Sequence, residues 1–179
     1  MNGKNDFDSL FDAALETPKN EPENSGQSSE SCAVVLEDAT RDHVPEVAAL
    51  EQVCFSDPWK EIDFRAVVGS PHVYFRVALM GDRVAGYLLL IFAADAAELA
   101  NIAVDPSRRR SGIGAALLDD AIAFCRRRGI VDVTLEVRES NAPARSLYAS
   151  RGFVDVGRRR GYYKLPREDA IVMLLHMGE

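Results

Sequence analysis

The sequence is short of the residues that usually announce chemistry. Its 179 residues hold three cysteines, three histidines and one tryptophan. Cys32, Cys54 and Cys125 are odd in number and far apart, which argues against a disulfide framework and against a paired-cysteine metal site. A reducing, cytoplasmic setting is the expectation for such usage. His43, His72 and His176 are scattered, with no HExxH spacing and no triad order, so neither a metal nor a serine-type site is expected. Long apolar runs are missing too. Val84 to Ala94, 11 residues, is too short to span a bilayer and suits a buried strand. No apolar signal core follows Met1, so neither export nor a membrane is expected. The phosphate-binding pattern GxxxxGK[ST] is also absent.

What is present is an ordinary soluble composition, 47% hydrophobic and 27% charged, with length enough for one well-filled core. The net charge of −7 is unevenly spread. Residues 1–31 carry Lys4 and Lys19 against seven acids. Residues 32–104 carry five basic and eleven acidic groups, and residues 105–167 carry fourteen basic and seven acidic groups. A basic third within an acidic chain points to a small polyanionic ligand held locally, with a basic partner elsewhere. Nucleic acid is not expected, because the positive charge is confined and no aromatic stacking pattern accompanies it.

The stretch TPKNEPENSGQSSES holds nothing apolar to bury, so residues 1–31 read as a disordered acidic tail. Phe7, Leu10, Phe11, Ala14 and Leu15 within it fall at helical spacing. The domain is expected to run from 32 to 179. AVVLEDA reads as a strand; Thr40 or Asp42 is placed to cap a helix running to about Phe55; residues 61–68 read as a short second helix. HVYFRVALM and RVAGYLLLIF read as strands joined in a hairpin at Met80-Gly81-Asp82, and AAELANIAV as a third strand. A helix at 112–128, a strand at 131–137, a helix at 142–150 and strands at 152–162 and 169–177 follow. Hairpins early and crossovers late predict an α/β (α+β) domain around one mixed, mostly antiparallel sheet flanked by helices.

The segment RRRSGIGAALLDDAIAFCRRRG puts arginine triplets at both ends of one helix. Ile113, Leu117, Ala121 and Phe124 form its apolar stripe, widened by Leu118, Ile122 and Cys125. Gly129 ends it, and Arg126, Arg127 and Arg128 suit the negative end of its dipole. The first triplet lies at the other end, where the dipole and unpaired backbone N–H groups already favour an anion. Gly112 and Gly114 let the backbone come close to one. A dinucleotide fingerprint fails here. Leu117 stands where its third glycine or alanine belongs, and seven residues separate Val104 from Gly112.

The remaining pattern is R-x-x-G-x-G, Arg109 to Gly114, after a strand ending NIAVDP. It resembles the acyl-CoA pyrophosphate loop of the GNAT family of N-acetyltransferases. The second motif, LEVRxSNxxAxxLYxxxGF over Leu135–Phe153, followed by Arg158-Arg159-Arg160-Gly161-Tyr162-Tyr163, strengthens the likeness. It resembles the branch of that family that acetylates the N-terminal alanine of a small-subunit ribosomal protein. By the residues alone, Glu136 reads as a solvated strand residue and Tyr148 as an aromatic packed on the sheet. The resemblance implies instead a general base at Glu136 and a general acid at Tyr148. It implies acetyl-CoA as co-substrate, contacted by Ile102, Ala103 and Val104, by the loop Arg109, Arg110, Ser111, Gly112, Ile113, Gly114 and Ala115, and by Asn141. It implies the N-terminus of a ribosomal protein as partner and no metal. The other readings are a family member acting on another amine (a lysine side chain, a polyamine or a small molecule) and a non-catalytic acetyl-CoA-binding module.

Overall fold

The computed structural model describes residues 33–178; the expectations for residues 1–31 and for Cys32 lie outside them. Seven strands, β1 (Val34–Asp38), β2 (Val73–Met80), β3 (Arg83–Ala93), β4 (Ala96–Val104), β5 (Asp132–Arg138), β6 (Val154–Lys164) and β7 (Arg167–His176), form one sheet. Its order is β1-β2-β3-β4-β5-β7-β6. Only β4 and β5 run parallel. The helices are α1 (Val44–Cys54), α2 (Glu61–Val67), α3 (Ile113–Arg128) and α4 (Ala142–Ala149).

The sheet is apolar on both faces, and each face has its own helices. Ile113, Leu117, Leu118, Ala121, Ile122 and Cys125 of α3 pack with Ala144 and Tyr148 of α4 over Leu88, Leu90, Leu99 and Ile102. Val44, Val47, Leu50 and Cys54 of α1 pack with Phe64 of α2 over Phe75, Tyr87 and Leu89. Each fully buried valine, leucine, isoleucine or phenylalanine among them contributes about 1.5–3 kcal/mol. The α3 stripe read from the sequence is thus the one the fold buries, and Phe124 at its margin stacks on Tyr74 with ring centroids 3.9 Å apart.

Gly86 sets how closely α3 approaches the sheet. A Cβ there would lie 2.8 Å from the Ala103 carbonyl oxygen and 3.0 Å from an Ile113 methyl. No other residue fits under the first turn of α3 without moving β4.

The entry to α1 differs from expectation. Its cap residue is His43, which makes no side-chain cap, and neither Thr40 nor Asp42 caps the helix. Pro45 sits in the first turn, where its missing N–H costs nothing, and fixes the start later than a Thr40 or Asp42 cap requires. Thr40 hydrogen-bonds back to His43 instead, its backbone N–H donating to Nδ1 at 3.1 Å.

Candidate active site

The feature that makes a site is a split in the sheet. The parallel ladder between β4 and β5 covers only Ala96–Glu98 against Asp132–Thr134. Beyond it, β5 keeps pairing with β7 out to Arg138↔Ala170, while β4 keeps pairing with β3 out to Gly86↔Val104. A bulge opposite Leu89 and Leu90, at Ala100, accompanies the divergence. The two strands therefore open a cleft, and the β5-facing edge of residues 99–104 lies outside any ladder. Ile102, Ala103 and Val104 are on that edge, all buried.

At the mouth of the cleft, the loop before α3 is shaped for an anion. Arg110 (φ 64°) and Gly112 (φ 87°) are both left-handed. Alternation of this kind turns successive N–H groups to one side, the concavity that binds phosphates. Gly112 caps α3 with no side-chain hydrogen bond, and no acidic residue stands in the first turn. The N–H groups of Ile113, Gly114 and Ala115 thus begin the helix without intrahelical acceptors. Gly112 has nothing within 4 Å of a notional Cβ, whereas one on Gly114 would make ordinary contact with Val104 and Leu147. Gly112 is therefore required by its backbone conformation and not by crowding. Ser111 is exposed but donates its hydroxyl to the Arg108 carbonyl at 2.6 Å. The Arg109 side chain turns away from the loop and donates to the Val104 carbonyl at 3.3 Å, with Cys54 Sγ 3.7 Å from its other nitrogen. Its part in this loop is to tether the end of β4.

Glu136 lies on the opposite wall, and the solvated reading suggested by alternation along β5 is overturned: it is 9% exposed. Tyr162 donates its hydroxyl to Oε2 at 3.0 Å, and Arg159 approaches Oε1 at 2.9 Å. Both come from β6, across β7: Arg159 from its pairing with Ala170, and Tyr162 from a bulge in which three β6 residues, Arg160 to Tyr162, stand against the single β7 residue Asp169. Gly161 turns this bulge with φ 57° and donates its N–H to Asp169 Oδ1 at 2.7 Å. Period-two reading of β6 cannot anticipate that displacement, although the glycine before the tyrosine pair is its signal. Glu98 of β4 is a further acidic neighbour; burial first, then the Glu136 charge, raise its pKa.

Tyr148, in the last turn of α4, is fully buried and packs on Phe153 at 5.7 Å. Desolvation, reinforced by Tyr163, holds its phenol well above the ordinary tyrosine pKa. It is therefore neutral and proton-bearing at any physiological pH. Asn141 caps α4, its side-chain oxygen accepting from the Ala144 N–H at 3.2 Å.

Sequence reasoning singled out neither Arg138 nor Glu51, both buried. Glu51 of α1 accepts from the Trp59 N–H and from Asn101 Nδ2, each at 3.1 Å, and from the Tyr87 hydroxyl. Burial pushes its carboxyl up to about 7. Its position within the apolar period of α1 marks it as inward-facing. Among the described residues no group of three or more His, Cys, Asp or Glu side chains is placed to hold a metal, and no helix is long and apolar enough to cross a membrane.

Residues 44–153, which include the split in the sheet and the loop before α3, match the model of the acetyltransferase (GNAT) family. The chain belongs to the GNAT acetyltransferase family. The [ribosomal protein bS18]-alanine N-acetyltransferase of Escherichia coli K12 is 40% identical over 134 residues, 74% of this chain and 90% of that protein. The crystal structure of the Escherichia coli ribosomal-protein-S18-alanine N-acetyltransferase superposes with a TM-score of 0.77 at 34% identity, over 82% of this chain and 96% of that one. NAA60 of Arabidopsis thaliana, solved in complex with acetyl-CoA, shares the fold at 16% identity, with a TM-score of 0.74 over 81% of this chain and 99% of its own. The GNAT assignment accounts for the mixed sheet and for the cleft that interrupts it.

Proposed function

We propose that this chain transfers the acetyl group of acetyl-CoA to the α-amine of an N-terminal alanine, with ribosomal protein bS18 as its substrate. The observation that carries the reading is the placement of Glu136. It is a buried carboxylate held by Arg159 and Tyr162 on the wall facing the open edge of β4, in a chain 40% identical to an enzyme of that activity.

Acetyl-CoA supplies an acetyl thioester. The residues that would hold it are the backbone of Arg109 to Ala115 at the pyrophosphate and the free edge of Ile102 to Val104 along the arm, with Asn141 nearby on α4. Glu136 takes a proton from the substrate ammonium, directly or through a water, and so frees the nitrogen lone pair. A backbone N–H near Val104 faces the negative charge that develops on the thioester oxygen as the C–N bond forms. Tyr148 gives its proton to the sulfur as the C–S bond breaks, and the second proton of the nitrogen, shed as the amide forms, restores the phenol. No enzyme-bound acyl group is needed, and Cys54 is ill suited to carry one, since burial raises its thiol pKa.

Magnitudes favour an α-amine. With a pKa of about 7.7–8.0, roughly a tenth of α-amines are neutral at pH 7, whereas a lysine at about 10.4 costs roughly 3.5 kcal/mol more to deprotonate. One partly buried carboxylate suffices for the first task. The test is thiol release from acetyl-CoA with a peptide starting Ala-Arg, against the same peptide N-terminally blocked but carrying a free lysine. Activity on the first alone supports the reading. Activity on the blocked peptide reassigns the chain to lysine acetylation, and silence on both removes the peptide substrate.

A further inference from the structure

Arg138 ends β5 two residues after Glu136, on the same face of the strand. Its side chain is 3% exposed. Nη2 donates to Ser56 Oγ and to the Leu165 carbonyl, each at 2.9 Å. Nη1 donates to the Pro166 carbonyl at 3.1 Å and to Glu168 Oε2 at 3.3 Å. The guanidinium carbon stands 4.0 Å from the centre of the Tyr163 ring. One cation thus joins two segments far apart in sequence, the α1–α2 loop at Ser56 and the β6–β7 turn at Leu165–Pro166. Ser56 begins a loop whose other end is fixed independently, through the Trp59 N–H on Glu51. Glu168 is fixed in turn by the Ser140 N–H at 2.5 Å. The β4 side of the cleft is taken by the proposed acetyl-CoA edge. The amine must therefore approach Glu136 from the side these two segments border.

A buried arginine of this kind is not explained by stability, because desolvating a guanidinium offsets much of what its contacts return. What a planar fork does better than any apolar side chain is hold several acceptors at fixed angles. We propose that Arg138 is the positioning residue of the acceptor side: it fastens the α1–α2 loop and the β6–β7 turn into one rim, so that the substrate N-terminus meets a preformed entrance beside Glu136. This rests on the acetyl-transfer reading above and goes beyond it in naming what shapes the peptide's entrance.

Two variants and two readouts test it. Arg138→Lys keeps the charge but cannot span both segments. Ser56→Ala removes only the α1–α2 anchor and leaves the arginine. The expected result for Arg138→Lys is a peptide KM raised about tenfold with the acetyl-CoA KM and the pH profile unchanged, and for Ser56→Ala a smaller rise of about threefold. Hydrogen exchange, read without substrate, should quicken at residues 55–60 and 164–168 together in Arg138→Lys, and at 55–60 alone in Ser56→Ala. Unchanged peptide KM with unchanged exchange, or equal rises in both KM values, overturns the proposal. If the wild type does not turn over the alanine peptide, the proposed function fails. The exchange experiment still decides whether Arg138 couples the two segments.

Discussion

Glu136 and Tyr148, the two side chains to which the proposed function gives proton transfers, lie in contrasting surroundings. Glu136 is bound by a cation and a hydroxyl, the partners a carboxylate accepts from. Tyr148 is sunk among apolar groups, where the phenolate is disfavoured. The proposed function assigns the base to the first and the acid to the second, and each role predicts its own mutational effect. Tyr148→Phe removes a single oxygen and keeps the ring packed on Phe153, so folding should survive. The expected result is a kcat about 100-fold lower, with the acetyl-CoA Kd within twofold of wild type, since general acids contribute about that much. Steady-state kinetics beside calorimetric titration make the comparison, and near-normal turnover would remove Tyr148 from the acid role.

At the scale of elements, the cleft depends on two glycines that act by different means. Gly86 is a matter of space: Gly86→Ala forces its Cβ against the Ala103 carbonyl, which is backbone and cannot rotate away. Overpacking of that kind costs about 1–3 kcal/mol, seen as a lower midpoint in denaturant at unchanged slope. Gly112 is a matter of dihedral: space is open, but φ 87° is strained for alanine. Gly112→Ala should cost about 1–2 kcal/mol and raise the acetyl-CoA KM while leaving the peptide KM near its wild-type value. A peptide KM that rises in step would deny the loop its separate role. These elements were legible in the sequence because each rests on a local signal: helical period for α3, a glycine at each of its ends, apolar runs and a hairpin turn for β2 and β3. The resemblance to the GNAT family placed Glu136 and Tyr148. What was not legible depends on pairing between distant strands. The bulge at Arg160–Tyr162 brings Tyr162 onto Glu136, and the register of β5 against β7 puts Arg138 beside the β6–β7 turn. Neither follows from any one segment's pattern.

Over the whole molecule, two electrostatic features make opposite kinds of prediction. The first is internal. Glu51 is fully buried, and its carboxyl is pushed from 4.5 to about 7. The folded state then holds a proton that the unfolded chain has released between these values. The stability tied to that proton is present below about pH 4.5 and lost as pH rises through about 7, a change of about 3 kcal/mol. Glu51→Gln keeps the shape and can still accept from Trp59 and Asn101, so its unfolding free energy should vary much less between pH 5 and pH 8. An equal slope in both proteins would place the linkage elsewhere. The second feature is external. Acids predominate in 32–104 and basic groups in 105–167, and the proposed function assigns the acidic stretch to a basic peptide and the loop before α3 to the anionic co-substrate. Within the cleft, burial and the nearby Glu136 charge raise the pKa of Glu98, while Arg159, paired with Glu136, opposes that rise. Exposed charges act over about 10 Å at 0.1 M salt and over much less at 1 M. The KM of an Ala-Arg peptide rich in basic residues should therefore climb several-fold between these conditions, while that of a neutral peptide with the same first residue stays nearly level. The neutral peptide is the control that matters, because salt also weakens the acetyl-CoA loop and that effect is common to both. If the two peptides respond alike, the acidic face is solvated surface and recognition of the N-terminus lies in contacts at the rim.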